Sequence, residues 1–345
     1  MTQDLLNWHK DINRNLPWKV DSTPYKIWLS EIILQQTRVA QGMPYYLKFI
    51  KIYPTIIDLA NAPQNDILLL WQGLGYYSRA RNMHHAAITV RDDFGGIFPT
   101  TYNDVLMLKG VGDYTASAIM SFAYGKPYAV VDGNVIRVVS RYFGISEAVD
   151  VAQGKAKIKS IASKLIENVD PAKYNQAIMD FGALQCTPKS PNCGNCPLSN
   201  QCQAHLNEVV NKIPYKSKKI KKVKRYLHYF NIRWDDNMIV QQRTEGIWKG
   251  LYELPCIENK SDCELTQLQV EDYIKSNYNF LPIKIIMRHQ VKHILTHQTL
   301  NIRFYQIVVP TIDSILEHQR IINAKDICDY PLPIVISKFL NSVHE

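Results

Sequence analysis

The sequence predicts a two-domain protein with a mostly α-helical N-terminal half and an α+β C-terminal domain. Three observations carry this. Over residues 21–184 the apolar side chains recur at three- and four-residue spacing, as in Ile27, Ile32 and Ile33 and again in Ala118, Ile119 and Phe122, which is the period of one helix face. Beyond residue 225 the period falls to two over short runs, the mark of half-buried strands. Between them lies a lysine-rich tract, residues 212–225, too charged to pack into a core and expected to link the two domains. A chain of 345 residues holds two domains of about 150 residues each, both large enough to bury a core.

The first residues, 1–18, mix apolar side chains with Asp4, His9, Lys10, Asp11 and Arg14, so they lack the apolar stretch of a signal peptide. Thr23-Pro24 opens a helix, because proline fits a first turn that needs no N–H. Pro44 and Pro54 are expected to bound the next one. Leu108-Lys109-Gly110-Val111-Gly112-Asp113-Tyr114-Thr115-Ala116 reads as a helix end, a tight hairpin and a new helix over residues 114–124. Gly110 and Gly112 there permit conformations and close approaches that a side chain would obstruct. Val131-Asp132-Gly133-Asn134-Val135 then supplies an acidic residue after that helix, and Asp170-Pro171 opens a late helix ending near Gly182. In the second half, residues 226–234, 238–243, 283–292 and 300–309 read as strands and 264–277 and 334–343 as helices. The expected division is 1–209, a linker at 210–225, and 226–345.

Forty basic against 31 acidic residues give a net charge of +9, which favours a polyanionic partner. No apolar run reaches the ~18 residues of a membrane span, and a soluble cytoplasmic protein is expected. Four of the seven cysteines, Cys186, Cys193, Cys196 and Cys202, have the spacing C-x6-C-x2-C-x5-C. Pro188, Pro191 and Pro197 break helices so that four thiolates can converge. The cluster fits a metal site in a reducing compartment better than a disulfide framework. Four thiolates suit tetrahedral zinc and a [4Fe-4S] cube equally on spacing alone.

The hairpin can present bare N–H groups, and the helix after it points its positive end the same way, so a phosphate suits the spot. That is a grip on a nucleic-acid backbone without regard to sequence. The hairpin and the Asp132 loop resemble the helix-hairpin-helix DNA glycosylases, the superfamily that includes endonuclease III and the adenine DNA glycosylases. The resemblance implies that Asp132 is the catalytic aspartate. It also implies that residues 186–202 are an iron-sulfur loop, favouring [4Fe-4S] held by the four cysteines in a structural, DNA-facing role.

Superfamily members that also cleave the strand use a lysine in the second hairpin helix as an amine nucleophile. Tyr114 stands at that place, which implies water as the nucleophile and simple base excision. Trp18-Lys19 and Thr23-Pro24-Tyr25-Lys26-Ile27-Trp28-Leu29-Ser30-Glu31-Ile32-Ile33-Leu34-Gln35-Gln36-Thr37 resemble the N-terminal signature of adenine DNA glycosylases of the MutY type, in which the residue matching Glu31 is the catalytic acid. A carboxyl among Ile27, Trp28, Ile32 and Ile33 is expected to be desolvated enough to keep its proton and give it to N7 of an extruded adenine. Asp132 would then steady the sugar cation. By the same resemblance Tyr114 and Asn134 orient the sugar and the water, and Gln35 and Tyr76 fill the gap that extrusion leaves. Tyr76 belongs to Gly73-Leu74-Gly75-Tyr76-Tyr77-Ser78-Arg79-Ala80-Arg81-Asn82, where Arg79 and Arg81 are expected to meet phosphates or acidic neighbours.

Ile247-Trp248-Lys249-Gly250-Leu251-Tyr252-Glu253-Leu254-Pro255 resembles a strand and loop of the Nudix fold, implying a Nudix-like domain that reads 8-oxoguanine. No Arg-Glu-x-x-Glu-Glu follows, so no pyrophosphate hydrolysis is expected. The family's Phe-Ser-His element is matched by Leu295-Thr296-His297: Thr296 keeps a hydroxyl, Leu295 replaces a ring, and His297 is a candidate DNA contact. The implied enzyme is a monomer acting on double-stranded DNA with adenine opposite 8-oxoguanine or guanine. Two alternatives stand beside it, an endonuclease III-like glycosylase/lyase and a noncatalytic DNA-binding protein.

Overall fold

The computed structural model describes residues 1–12, 14, 16–217, 222–280, 282–311 and 315–343. Two compact units divide it, Met1–Asn61 with Asn82–Lys219, and Ala62–Arg81 with Ile220–Glu345.

The first unit is helical: α1 (Thr2–Lys10), α2 (Pro17–Val20), α3 (Pro24–Leu34), α4 (Val39–Ile52), α5 (Ile56–Asn61), and, after α6 (Gln64–Leu70) of the second unit, α7 (Ser78–Asp93), α8 (Tyr102–Met107), α9 (Asp113–Phe122), α10 (Gly133–Phe143), α11 (Ala152–Leu165), α12 (Pro171–Leu184) and α13 (Gln203–Leu206). Side chains cap three of them: Thr101 accepts from the Asp104 N–H, Asp132 from Val135 and Asp170 from Lys173, satisfying orphan donors of the first turn. Helix α10 stops at Gly144, whose φ of 63° is the left-handed conformation of a glycine stop. Leu5, Val135, Val138, Val139, Tyr174 and Phe181 form one core of this unit. Helix α3 has its residues from Ile27 to Ile33 all buried, Glu31 included.

Pro44 does not bound α4 but lies inside it, on its sixth residue. A proline early in a helix removes one hydrogen bond, and burial of Tyr46 and Phe49 beyond it offsets that loss.

The second unit carries a mixed sheet in the order β3 (Tyr252–Glu253), β2 (Asn237–Gln242), β1 (Val223–Trp234), β6 (Gln298–Val308), β5 (Lys284–Ile294). The short β4 (Cys256–Asn259) pairs with β1 and β7 (Gln319–Asn323) with β2. Strands β1 and β6 run parallel from Val223↔Gln298 to Arg233↔Val308, and β5 folds back antiparallel on β6. Both faces of this parallel pair are covered, as buried parallel strands require. Leu300, Ile302 and Phe304 pack with Ile336 and Phe339 of α15 (Ile334–Ser342), and Phe230, Ile232 and Ile307 with Val270 and Ile274 of α14 (Gln267–Tyr278).

The linker expected at residues 210–225 is shorter than its composition implies. Arg141 donates to the carbonyls of Val210 and Ile213 at 3.1 and 3.0 Å, Val149 N–H donates to Tyr215 O, and β1 already starts at Val223. Residues 218–221 of that tract lie outside the described residues. Nor does the first domain run unbroken to residue 209, since residues 62–81 pack with the C-terminal unit.

Candidate active site and iron-sulfur loop

The N-terminal unit brings Glu31, Tyr114, Asp132 and Asn134 together. Glu31 sits on the buried stretch of α3, and burial pushes its carboxyl up to about 7; the hydroxyl of Tyr114, donated to it, works against that rise and the charge of Asp132 adds to it. Burial, then the two carboxylates, hold the Tyr114 phenol far above its ordinary value, so it stays a donor. Tyr114 is the second residue of α9, the hairpin helix.

Asp132 caps α10. Its Oδ1 accepts the Val135 N–H at 2.8 Å and its Oδ2 the Asn134 Nδ2–H at 2.7 Å. Burial raises this carboxyl too, but these donors and the Arg137 charge oppose the rise. N–H donors and a helix N-terminus favour the ionised form. The two carboxyls therefore differ in kind: one is desolvated with a phenol as donor, the other held by N–H groups.

Asn134 is fixed at both ends of its amide, since its Oδ1 accepts from Arg137 Nη2 at 2.9 Å. Arg137, buried, also donates to Gly182 O at 2.6 Å and Cys186 O at 2.7 Å. Gly182 is required there: a Cβ on it would lie 2.6 Å from that of Asn134. Arg137 escaped the sequence reading, although a cation three residues beyond Asn134 on a largely apolar helix was a usable signal. A cavity of about 290 Å³ beside the site is lined by Glu31 together with Trp18, Lys19, Ile27 and Gln176.

At the hairpin, Gly110 has φ +82° and a Cβ on it would meet Asn82 at 2.9 Å, so it needs glycine on both counts. Gly112 does not share the first reason. Its φ of −110° suits any residue, and what it provides is open space ahead of α9, which no side chain caps. Gln35 closes α3, with its Nε2–H donated to Thr115 Oγ1 at 3.3 Å.

Cys186, Cys193, Cys196 and Cys202 line one cavity with Val138, Phe181 and Leu198. Burial raises the thiols of Cys193, Cys196 and Cys202, Cys196 to about 11. Arg141 brings Nη1 within 3.5 Å of Cys186 Sγ and binds the carbonyls of Thr187 and Pro188. A ring of four thiols with a cationic neighbour fits a group that carries negative charge. Four thiols lining one cavity, one of them beside a guanidinium, are a donor set that fits an iron-sulfur cluster.

In the C-terminal unit, Gly73 and Gly75 at φ +102° and +74° turn the chain so that Tyr76, itself at φ +48°, projects. Its hydroxyl pairs with Thr296 Oγ1. Thr296 and His297 are exposed at the tip of the β5–β6 hairpin. A cavity of about 600 Å³ is lined by Tyr76, Arg81, Trp248, Leu295, Thr296 and His297, among others. Arg79 is not available to phosphates: it is buried, lies 5.0 Å from the Trp71 ring centroid and donates to Gly75 O. Arg81 donates to Lys249 O. Among the described residues no helix is long and apolar enough to cross a membrane.

Residues 29–168 match the model of HhH-GPD superfamily base excision DNA repair proteins, 186–202 that of the iron-sulfur binding domain of endonuclease III, and 228–342 that of the NUDIX domain. A thermostable thymine-DNA glycosylase structure is 30% identical, with a TM-score of 0.56 over 60% of this chain and 95% of that one. An endonuclease III–DNA complex, 22% identical with a TM-score of 0.51 over 60% of this chain and 94% of that chain, shares the fold. The human adenine DNA glycosylase is 39% identical over 58% of this chain and 38% of its own length. That of Buchnera aphidicola subsp. Baizongia pistaciae is 36% identical over 99% of this chain and 98% of its own length. The protein is a DNA-binding base excision repair glycosylase whose cofactor is a [4Fe-4S] cluster, and with a relative matched end to end the chain belongs to the adenine DNA glycosylase family.

Proposed function

We propose that the protein hydrolyses the N-glycosidic bond of adenine opposite 8-oxoguanine or guanine in double-stranded DNA, as a cytoplasmic monomer, and leaves an abasic site. Glu31 is the acid. The observation that carries the assignment is its carboxyl, pushed up to about 7 by burial beside a base-sized cavity. Adenine leaves poorly unless protonated, and an acid titrating near the working pH is the most efficient donor. Glu31 gives its proton to N7 of the extruded base and Tyr114 keeps the carboxyl oriented. Positive charge then grows on the sugar. Asp132, held ionised by the Val135 and Asn134 donors, stabilises that charge or captures it transiently. Asn134, clamped by Arg137, keeps Asp132 aimed and orients the water. With Tyr114 in the lysine's place, no amine attacks the sugar and strand cleavage is not expected.

Gln35 and Tyr76 prop the stack where the base has left. Gly110 and Gly112 present N–H groups to a phosphate. The cysteines Cys186, Cys193, Cys196 and Cys202 hold the cluster, which supplies a rigid, charged DNA-facing loop and no electrons to the hydrolysis. Residues 1–209, apart from the 62–81 segment, do the chemistry, and residues 226–345 read the opposite base. The cavity at Tyr76 and Thr296, with hydroxyls from two chain segments, supports 8-oxoguanine as that base.

The test is single-turnover release of adenine from duplexes carrying adenine opposite 8-oxoguanine or guanine, with Glu31→Gln as the variant. The amide keeps the shape and cannot donate an acidic proton. Release is expected to fall by about 10²–10⁴-fold while binding to the same duplex survives. Release at the unaltered protein's rate by that variant would remove Glu31 as the acid.

A further inference from the structure

Asp180 on α12 is buried, and four side chains converge on it. His9 Nε2–H and Gln176 Nε2–H donate to Oδ2 at 3.0 Å each, the Lys19 ammonium to the same oxygen at 3.4 Å, and Arg14 to Oδ1. Burial alone would raise this carboxyl, but the bonds from His9, Arg14 and Gln176 and the charge of Lys19 hold it below the usual carboxylate range. It is therefore ionised at neutral pH. Asp180 does not line the 290 Å³ cavity, yet three of its four partners, His9, Lys19 and Gln176, do so alongside Glu31.

We propose that Asp180 is a positioning residue for the acid: its charge holds the Lys19 ammonium, so that Lys19 does not pair with Glu31 across the cavity they share. Tyr114 from α9 and Asp132 ahead of α10 act on Glu31 directly, and His9 from α1, Lys19 from α2 and Lys173 from α12 are the other titratable groups that line the cavity with it. Lys173 is largely exposed and pairs with Asp170 at 3.4 Å. Lys19 is the half-buried ammonium among them, and burial already penalises its charge. With Asp180 neutral, Glu31 is the carboxyl left to it on that cavity. An ammonium at ion-pair distance lowers a carboxyl by about 1–3 pH units, which would strip Glu31 of its proton at neutral pH. Asp180 also offsets the cationic side chains of Arg14 and Lys19 close to where the departing purine turns cationic, and such charge is felt strongly away from water.

The experiment is the pH profile of single-turnover adenine release from an adenine:8-oxoguanine duplex, resting as it does on Glu31 being the donor. Failure of the unaltered protein to release adenine would count against the proposed function itself. Given activity, Asp180→Asn is expected to move the alkaline limb down by about 1 unit or more, about a tenfold loss of rate per unit above it, and the double variant Asp180→Asn/Lys19→Met to move it back. A limb that stays in place in Asp180→Asn, or moves and is not restored by the second change, overturns the proposal. Lys19→Met alone gives a readout that does not depend on Asp180→Asn folding. With Asp180 intact its limb should lie within about 0.3 units of the unaltered protein's, whereas a rise of about 1 unit or more would show that Lys19 pairs with Glu31 already.

Discussion

Glu31→Gln should stabilise the protein in proportion to how far its proton has been lost. A glutamate with an ordinary value of 4.5 stands at about 7 in the folded chain, with burial as the main cause. Between those two values the folded state holds a proton that the unfolded state has released. Stability conferred by this group is thus fully present below about 4.5 and declines as pH rises through 7. The interval, at about 1.36 kcal/mol per pH unit, amounts to about 3 kcal/mol. A glutamine at the same place carries no charge, keeps the outline of the acid and still accepts from Tyr114, so it avoids this loss.

The assay compares denaturation midpoints of the two proteins from pH 4.5 to pH 8. They are expected to coincide at the acid end and to diverge by about 3 kcal/mol at the alkaline end, roughly 6–12 °C for a cooperative unit of this size. Asp132 is present in both proteins and its contribution largely cancels. A gap that does not widen with pH would mean that Glu31 is not desolvated in the folded chain. Glu31 would then lack both the stability cost and the retained proton that its role as acid requires. A variant that is both inactive and more stable at neutral pH is what a site built on an uncomfortable carboxyl demands.

Two further outcomes test the DNA-facing parts. Gly110→Ala forces a Cβ into a backbone at φ +82° and against Asn82; it should destabilise the N-terminal unit by about 1–2 kcal/mol and weaken DNA binding, and unchanged thermal midpoint and affinity would remove the reason for glycine there. Tyr76→Phe deletes the hydroxyl paired with Thr296; the preference for adenine opposite 8-oxoguanine over adenine opposite guanine should narrow by about 1 kcal/mol, roughly fivefold, and an unaltered ratio of excision rates would detach this pair from reading the opposite base.

Local pattern carried most of the fold. Three- and four-residue spacing located the helices, and period two located β1, β2, β5 and β6 to within a few residues. Strands β3, β4 and β7 have two to five residues, too few for alternation to stand out, and exist because long neighbours offer them edges. Pro44 misled because a helix start was inferred from the proline alone, while the burial that sustains α4 past it is tertiary. Glu31, Asp132 and Tyr114 were legible as residues, but only through the segments around them. Arg137 and Asp180 were not, since what distinguishes them is the company each keeps across helices: Cys186 and Gly182 for one, His9, Arg14 and Lys19 for the other. Buried charge is a poor guide from sequence because its partners lie far along the chain.

The difference between the two carboxyls also could not be read from their own identities, for both are acids in apolar surroundings and burial raises both. It arises from which helix end each meets. Glu31 lies in the third turn of a helix whose backbone N–H groups are already used, and the donor that reaches it is the Tyr114 phenol. Asp132 lies one residue ahead of a helix, where unpaired N–H groups point at it and the dipole favours negative charge. Exchanging the two residues, Glu31→Asp with Asp132→Glu, would keep both acids but shorten one reach and lengthen the other. Their order of titration should persist, because the helix positions set it. Release of adenine should nevertheless collapse, because proton donation needs contact within about 3 Å and a methylene's change in reach withdraws it.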